Sequence, residues 1–176
     1  MNKHQQLIDF LPPSSNFRND ASGTITSYRI NQSQTKNTER PALVFLHGFN
    51  GSSKSWACQF AHFTNHTVIA IDAPGFGESQ SVEGGMVAIA GEVAALIASL
   101  VTGKAVIIGH SMGGMLAQVL GATHPDRCQA IILSCTHKGR AQPVGSPLGA
   151  AVQERIQQRE VMDDASYGAL RVGKML

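Results

Sequence analysis

Four short, uninterrupted apolar runs are the feature that most constrains how this chain folds. The runs are Ala42–Leu46, Thr67–Ile71, Ala105–Ile108 and Ala130–Leu133. Strands that are apolar on both faces are typical of a parallel sheet covered by helices on both sides, whereas a half-solvated antiparallel sheet alternates apolar and polar residues. The runs therefore predict the buried strands of an α/β fold.

Stretches with helical periodicity separate these runs, which supports the same architecture. The predicted helices are Trp56–Phe63, Met86–Leu100 and Met112–Ala122. We expect Ser53 or Ser55 to cap the first helix, Gly103 to end the second, and the Pro125 region to stop the third. Alternating strands and helices predict right-handed βαβ units and a doubly wound, mostly parallel sheet.

The two ends of the chain differ from this middle part. Residues 1–21 are polar and predict an irregular lead-in, while Thr24–Ile30 alternates as a half-buried antiparallel edge strand does. Residues 139–149 are rich in glycine and proline and predict a linker. Two short helices with one apolar side each are expected near 152–156 and 167–170, either as the start of a lid or as a surface helical hairpin.

These observations divide the chain into three expected parts. They are a lead-in and edge strand over 1–40, the α/β core over 41–138, and a linker with the start of a helical lid over 139–176.

Composition excludes several classes of protein. Hydrophobic residues make up 43% of the chain and charged residues 15%, which argues against disorder. A net charge of +2 without a basic block predicts neither a nucleic-acid partner nor a membrane partner. The N-terminus shows no apolar signal segment, and Cys58, Cys128 and Cys135 form no CxxC pair. We therefore expect a cytoplasmic protein with no disulfide framework, no metal site and no cofactor.

The motif that carries chemistry is the G-x-S-x-G sequence at 109–113. It directly follows one apolar strand and directly precedes a helix, which is the setting of a nucleophile elbow. In so sharp a turn Gly109 and Gly113 avoid a clash because they lack a Cβ, and Gly114 lets the helix approach the sheet. The turn would present the Ser111 hydroxyl at a helix N-terminus, where N–H groups stabilise developing negative charge.

Two further loops follow buried strands. The loop at 47–51 follows the first strand and can aim a backbone N–H at the same point as the Met112 N–H, which would form an oxyanion hole. Asp72 ends the second strand, and we expect it to hydrogen-bond its own tight turn, with Gly75 and Gly77 supplying the turn geometry.

The three motifs HGFNGS, DAPGFGES and GHSMGG, in this order and spacing, resemble those of the α/β-hydrolase fold superfamily. The resemblance covers about residues 41–134, and His124–Arg127 is similar to that family's linker before the next strand. A serine at the elbow, where haloalkane dehalogenases and epoxide hydrolases have aspartate, speaks against those two branches. The tail weakly resembles enol-lactone hydrolases and small carboxylesterases.

The resemblance implies a function and a set of roles. It implies a hydrolase that acts on a small-molecule carboxylic ester or lactone through an acyl-enzyme on Ser111, with oxyanion-hole N–H groups from Phe49 and Met112. The residues implied to support the elbow and the loop are His47, Gly48, Gly109, His110, Gly113 and Gly114.

The rest of a catalytic triad is not evident. In this fold the acid and the histidine follow the serine, and the histidines after Ser111 are His124, at the far end of a helix, and His137, which has no acid at a matching strand end. The family places both groups beyond two further strands. We therefore expect an N-terminal fragment of a serine hydrolase whose sheet is incomplete at the C-terminal side. The alternative is a truncated, catalytically inactive half-domain, and the oligomeric state stays open.

Overall fold

The computed structural model describes residues 3–33, 40–139 and 147–173. They fall into two compact units, residues 1–139 and 140–176. The elements of the first unit are α1 (Lys3–Asp9), β1 (Ser14–Arg18), β2 (Ile25–Asn31), β3 (Leu43–Leu46), α2 (Ala57–His62), β4 (Val68–Ile71), α3 (Gly85–Leu100), β5 (Ala105–His110), α4 (Met112–Thr123) and β6 (Cys128–Ser134). The second unit contains α5 (Ala150–Val161) and α6 (Asp164–Gly173).

The strands form one six-stranded sheet in the order β1-β2-β4-β3-β5-β6. Strands β4, β3, β5 and β6 are parallel, and β1 and β2 are antiparallel to their neighbours. From β3 the chain winds outward to β4 and then crosses to β5 on the other side. The loops after β3 and β5 therefore leave the carboxyl edge of the sheet at the point where the winding reverses, which is where open α/β sheets bind ligands.

Two separate cores lie on the two faces of the sheet. Val44 and Ile69 pack with the inner faces of α3 and α4, while their neighbours Phe45 and Val68 pack with Phe60 of α2. The central strands β3 and β4 are buried at every position. This two-sided burial confirms the doubly wound, mostly parallel sheet expected from the apolar runs.

The N-terminal expectation is wrong in one respect. Ser14–Arg18 lies in the stretch expected to be irregular, yet it forms the edge strand β1, so β2 is an inner strand of the sheet. The backbone of β2 supplies the hydrogen bonds of β1, and Phe17 packs against the core on one face. A polar edge strand of this kind depends on its neighbour rather than on its own side-chain pattern.

Two helix boundaries also differ from the expectation. Ser52, rather than Ser53 or Ser55, caps the 3-10 turn that precedes α2; its hydroxyl accepts from the Lys54 N–H, and the Ser55 hydroxyl accepts from the Ser52 N–H. Helix α3 ends against an extended Val101, and Gly103 forms a left-handed turn two residues later.

Strand β6 forms the second edge of the sheet and is largely uncovered among the described residues. Ile132 is 53% exposed, and Ile131 and Leu133 are also exposed. Beside it, α4 and β6 border a groove of about 440 Å³ lined in part by Gln118, Gly121 and Ile131. The sheet therefore ends on this side in an apolar strand.

The second unit consists of the two helices expected from its sequence. Asp163 precedes α6, where its carboxylate accepts hydrogen bonds from the N–H and the hydroxyl of Ser166, at 2.9 and 2.8 Å. The Arg159 guanidinium lies 5.7 Å from the centre of the Tyr167 ring, so α5 and α6 contact each other. Most of the linker expected at 139–149 lies outside the described residues.

Candidate active site

The turn between β5 and α4 holds Ser111 in a backbone conformation that side-chain-bearing residues rarely adopt. Its φ is 52° and its ψ is −116°. The Ser111 N–H donates to the Ser134 carbonyl at 3.0 Å, and the Thr136 hydroxyl donates to the Ser111 carbonyl at 2.6 Å. Strain of this kind costs on the order of 1–3 kcal/mol and persists only where the surroundings enforce it. The end of β6 therefore stabilises the strained turn.

Glycines at three positions make the turn sterically possible. A Cβ at Gly109 would overlap the Gly113 carbonyl, and a Cβ at Gly113 would overlap the Leu46 carbonyl. A Cβ at Gly114 would lie 2.6 Å from the Thr136 side chain. Each glycine thus permits a close approach, between the two arms of the turn or between α4 and a neighbouring segment.

The loop after β3 lies directly against the turn. A Cβ at Gly48 would lie 3.3 Å from the Ser111 Cβ and 3.1 Å from His110 Cδ2. Within the part of the chain that the structure describes, the N–H groups of Phe49 and Met112 donate to no acceptor. The first N–H groups of a helix have no partner inside the helix, which accounts for the Met112 N–H. Met112 follows Ser111 and Phe49 follows Gly48, so each of the two contacting loops carries an unused donor.

His47 joins this loop to the loop after β4. The side chain is buried, with its Nδ1 2.7 Å from the Gly48 carbonyl, and its Nε2 accepts from the Ala73 N–H at 3.1 Å. Because Nε2 is an acceptor, we assign the ring proton to Nδ1, which then donates to Gly48. Both ring nitrogens are used, so His47 supports the loop.

Asp72 has a similar structural position. Its carboxylate is buried and accepts from the Ser53 N–H at 2.5 Å and from the Glu78 N–H at 3.3 Å. A Cβ at Gly77 would lie 2.5 Å from the carboxylate carbon, so the turn closes tightly around the Asp72 side chain. The expectation that Asp72 hydrogen-bonds its own turn is confirmed, and the bond to Ser53 is an additional link between loops.

None of the described histidines is hydrogen-bonded to the Ser111 hydroxyl. His137 is exposed, and its Nδ1 accepts from the Gly139 N–H at 2.9 Å. His124 contacts Thr123 at the opposite end of α4, which at 1.5 Å per residue is about 18 Å away. Within residues 3–33, 40–139 and 147–173, the structure brings Ser111 against the Gly48 loop but places no histidine in hydrogen bond with its hydroxyl.

Thr136 is the site residue that sequence reasoning missed. It follows β6, whose carboxyl end lies beside the turn because β5 and β6 are parallel neighbours. A hydroxyl residue two positions after the end of β6 was the available signal. Side-chain periodicity, however, does not show which strands are neighbours in the sheet.

The described residues include no cluster of three or more potential metal-binding side chains. Within the same residues, no helix has the length and apolar character needed to cross a membrane.

The sheet order, the two-sided helical cover and the strand–turn–helix around Ser111 define an α/β protein with a strained turn where the winding of its sheet reverses. A family model described as alpha/beta hydrolase fold matches residues 41–162. This chain belongs to that family.

Solved structures of hydrolases show the same fold. Est816, described as an N-acyl homoserine lactone degrading enzyme, is 29% identical over 69% of this chain, with a TM-score of 0.60. A thermophilic esterase from Thermogutta terrifontis is 29% identical over 84% of this chain, with a TM-score of 0.63. A hydrolase from Pseudomonas aeruginosa is 26% identical over 90%, with a TM-score of 0.70. The chain spans 45%, 52% and 57% of these structures, about half of each.

Proposed function

We propose that this chain carries the nucleophile of a serine hydrolase that cleaves a carboxylic ester or lactone of a small molecule. The observation that carries the proposal is the backbone of Ser111, with φ 52°, between β5 and α4. A strained turn at the start of a helix, at the carboxyl edge of a parallel sheet, presents a hydroxyl where a substrate can reach it.

The proposed reaction proceeds through an acyl-enzyme. Ser111 Oγ attacks the carbonyl carbon while a base accepts its proton, and the carbonyl oxygen becomes an oxyanion held by the N–H groups of Phe49 and Met112. The C–O bond then breaks, the leaving alcohol takes the proton, and water hydrolyses the acyl-serine by the same steps. Within the proposal, His47, Gly48, His110 and the glycines 109, 113 and 114 hold the geometry.

The similar structures support an ester or lactone as the substrate. One is described as degrading N-acyl homoserine lactones and another as an esterase. An esterase breaks the C–O bond of an acyl group, and a lactone contains a C–O bond of the same kind in its ring. An Asp-containing elbow, expected for epoxide hydrolases and haloalkane dehalogenases, is not the sequence at 109–113.

A second candidate is a catalytically inactive half-domain. The observation in its favour is that His137 bonds to Gly139 and that the carboxylate of Asp72 bonds to backbone N–H groups, so neither contacts Ser111 among the described residues. Without a base, Ser111 stays a neutral hydroxyl and is a poor nucleophile.

The test combines the coding sequence with an activity-based probe. Where the reading frame continues past Leu176, we expect its product to hydrolyse p-nitrophenyl acetate and to react with a fluorophosphonate at Ser111. Ser111→Ala should abolish both without changing the far-ultraviolet circular dichroism. Retained turnover in that variant would refute the role of Ser111, and a stop codon after Leu176 would favour the second candidate.

The 1–176 chain serves as the matched comparison. We expect it to remain unlabelled, because no described residue is placed to accept the proton of Ser111. If it is labelled, the same experiment with His137→Ala shows whether His137 acts as the base.

A further inference from the structure

An exposed aromatic side chain follows the glycine that lies against the candidate nucleophile. Phe49 follows Gly48, which lies against Ser111, and Phe49 is 67% exposed. Among the phenylalanines only Phe10 is more exposed, and it lies in a separate part of the chain after α1. A large apolar side chain in contact with water is unfavourable, so a binding role would account for its position.

The Phe49 ring is oriented by neighbouring rings. Its centroid lies 5.6 Å from that of Phe76 with an angle of 78° between the planes, and Phe76 lies 5.5 Å from the His47 ring at 70°. The turn that carries Phe76 is itself fixed, since the Phe76 N–H donates to the Ala73 carbonyl at 2.8 Å. Edge-to-face pairs are favourable arrangements of aromatic rings. The loops after β3 and β4 thus present one preorganised aromatic surface.

The chemistry of this surface is apolar and uncharged. Residues 47–51 and 73–77 contain no Asp, Glu, Lys or Arg. Within residues 47–51 and 73–77 the titratable side chain is His47, and both of its ring nitrogens are hydrogen-bonded. Asp72 and Glu78, on either side of 73–77, are acidic and would repel an anion. A site for an anionic acyl group would offer a guanidinium or an ammonium, so the surface fits an aliphatic group better than a charged one.

We propose that the Phe49 ring, backed by Phe76, binds the aliphatic acyl chain of the substrate and so selects esters or lactones with an acyl chain of several carbons. The proposal rests on the proposed function, because an acyl group bonded to Ser111 brings its chain to this ring. The backbone N–H of Phe49 then faces the carbonyl oxygen while its side chain contacts the chain that leaves the carbonyl carbon. The Phe49 side chain is thereby a specificity-determining group.

Binding of a product-like carboxylate tests the proposal without requiring catalysis. Sodium octanoate and sodium acetate are titrated separately into ¹⁵N-labelled 1–176 chain, and amide shifts are followed by NMR. We expect octanoate, but not acetate at equal concentration, to shift the amides of Gly48, Phe49 and Phe76. Phe49→Ser should weaken octanoate binding about tenfold because apolar contact area is lost, while Phe49→Leu stays within about threefold.

Phe10→Ser is the matched control, because it removes an exposed phenylalanine elsewhere and should leave octanoate binding unchanged. Absence of octanoate binding, shifts confined to the groove between α4 and β6, or equal binding by Phe49→Ser would each overturn the proposal. If Phe49→Ser does not fold, Phe76→Leu replaces it, with a several-fold loss expected from removal of the supporting ring.

The outcome is separable from that of the proposed function. Ser111→Ala should bind octanoate as the unmodified chain does, because no covalent step is involved. If octanoate binding depends on Phe49 but Ser111 is not labelled in any form of the protein, the proposed hydrolase activity is refuted and the apolar binding surface stands. If Ser111 is labelled but octanoate binding does not depend on Phe49, the hydrolase activity stands and the proposed role of Phe49 in acyl-chain selection is refuted.

Discussion

At the scale of single residues, the candidate site depends on positions where a side chain is excluded. Gly113 in α4 and Gly91 in α3 are both helical glycines, but their surroundings differ. A Cβ at Gly113 would meet the carbonyls of Leu46 and His47, whereas a Cβ at Gly91 would meet no atom within 4 Å apart from its own helix and neighbours. The consequence of adding one methyl group should therefore have opposite signs.

We expect Gly113→Ala to lower the free energy of unfolding by at least about 1–3 kcal/mol, because α4 must move away from β3. Gly91→Ala should raise it by about 0.5–1 kcal/mol through helix propensity. Midpoints of urea unfolding measure both. Equal midpoints for the two variants would show that α4 does not pack against the Leu46 carbonyl as described.

The buried carboxylate of Asp72 gives a second prediction at this scale. In Asp72→Ala the N–H groups of Ser53 and Glu78 lose their acceptor. Ser53 is buried, so its unpaired N–H should cost about 1–3 kcal/mol, whereas Glu78 is exposed and its N–H can bond to water. Asp126→Ala is the control. The Asp126 carboxylate is exposed and forms an ion pair with the adjacent Arg127, so its removal should change the free energy of unfolding by no more than about 0.5 kcal/mol. A similar loss in both variants would contradict the linking role of Asp72.

At the scale of helices and strands, the apolar runs predicted β3, β4, β5 and β6 because burial on both faces leaves a continuous signal. Helices α3 and α4 were predicted for a related reason, since each has one apolar face. Strand β1 was not predicted because its hydrogen bonds come from β2, a property of the pair. The cap at Ser52 was expected at Ser53 or Ser55, one or three residues later, because these three serines are chemically equivalent.

Helix α6 offers a test of capping through a titration. The pKa of Asp163 is lowered below its usual value by two hydrogen bonds from Ser166 to the carboxylate. The larger effect comes from the Ser166 N–H and the smaller from its hydroxyl. Because the folded-state pKa is depressed, the cap stabilises α6 above the ordinary carboxyl pKa and loses that effect as the pH falls through the lowered one.

We expect Ser166→Ala to raise the pKa of Asp163 partway toward its usual value, because the hydroxyl is removed and the N–H remains. Carboxyl carbon shifts followed by NMR against pH measure the change. An unchanged Asp163 pKa would mean that the Ser166 hydroxyl does not bond to it in solution.

At the scale of the whole sheet, the two edges differ in chemistry. Strand β1 carries Arg18 and polar side chains, whereas β6 has no charged residue and exposes Ile131, Ile132 and Leu133. Uncharged apolar edges pair readily with other chains, and natural edges are commonly protected by lysine or proline.

We therefore expect the 1–176 chain to self-associate at micromolar concentration, as measured by light scattering. Ile132→Lys should reduce the association by placing a charge on the exposed edge, while Val87→Lys, at an exposed apolar position on α3, should not. A clean monomer with a sharp thermal transition would show that the β6 edge is protected in solution.

The candidate site was predictable from sequence where its residues are close together in the chain, and not where they come from distant segments. Ser111 and the three glycines form one local motif, so their geometry was expected in detail. The contact of Gly48 with Ser111 needed the order of the strands, and the resemblance supplied it. Two single hydrogen bonds, from Thr136 to Ser111 and from Ser53 to Asp72, join segments that are distant in sequence. Such bonds leave no periodic pattern in the sequence from which they could be predicted.

The two hydrogen bonds that tie the strained turn to the end of β6 also bear on how the protein is made. A ribosome delivers the serine before the residues that hold it, because Ser134 and Thr136 are synthesised 23 and 25 residues after Ser111. The nascent chain can form β5 and begin α4 earlier. The strained backbone angles of Ser111 are not stabilised by these two hydrogen bonds until β6 has emerged and paired with β5. The strained turn at Ser111 is therefore completed late in synthesis, after the strands that surround it.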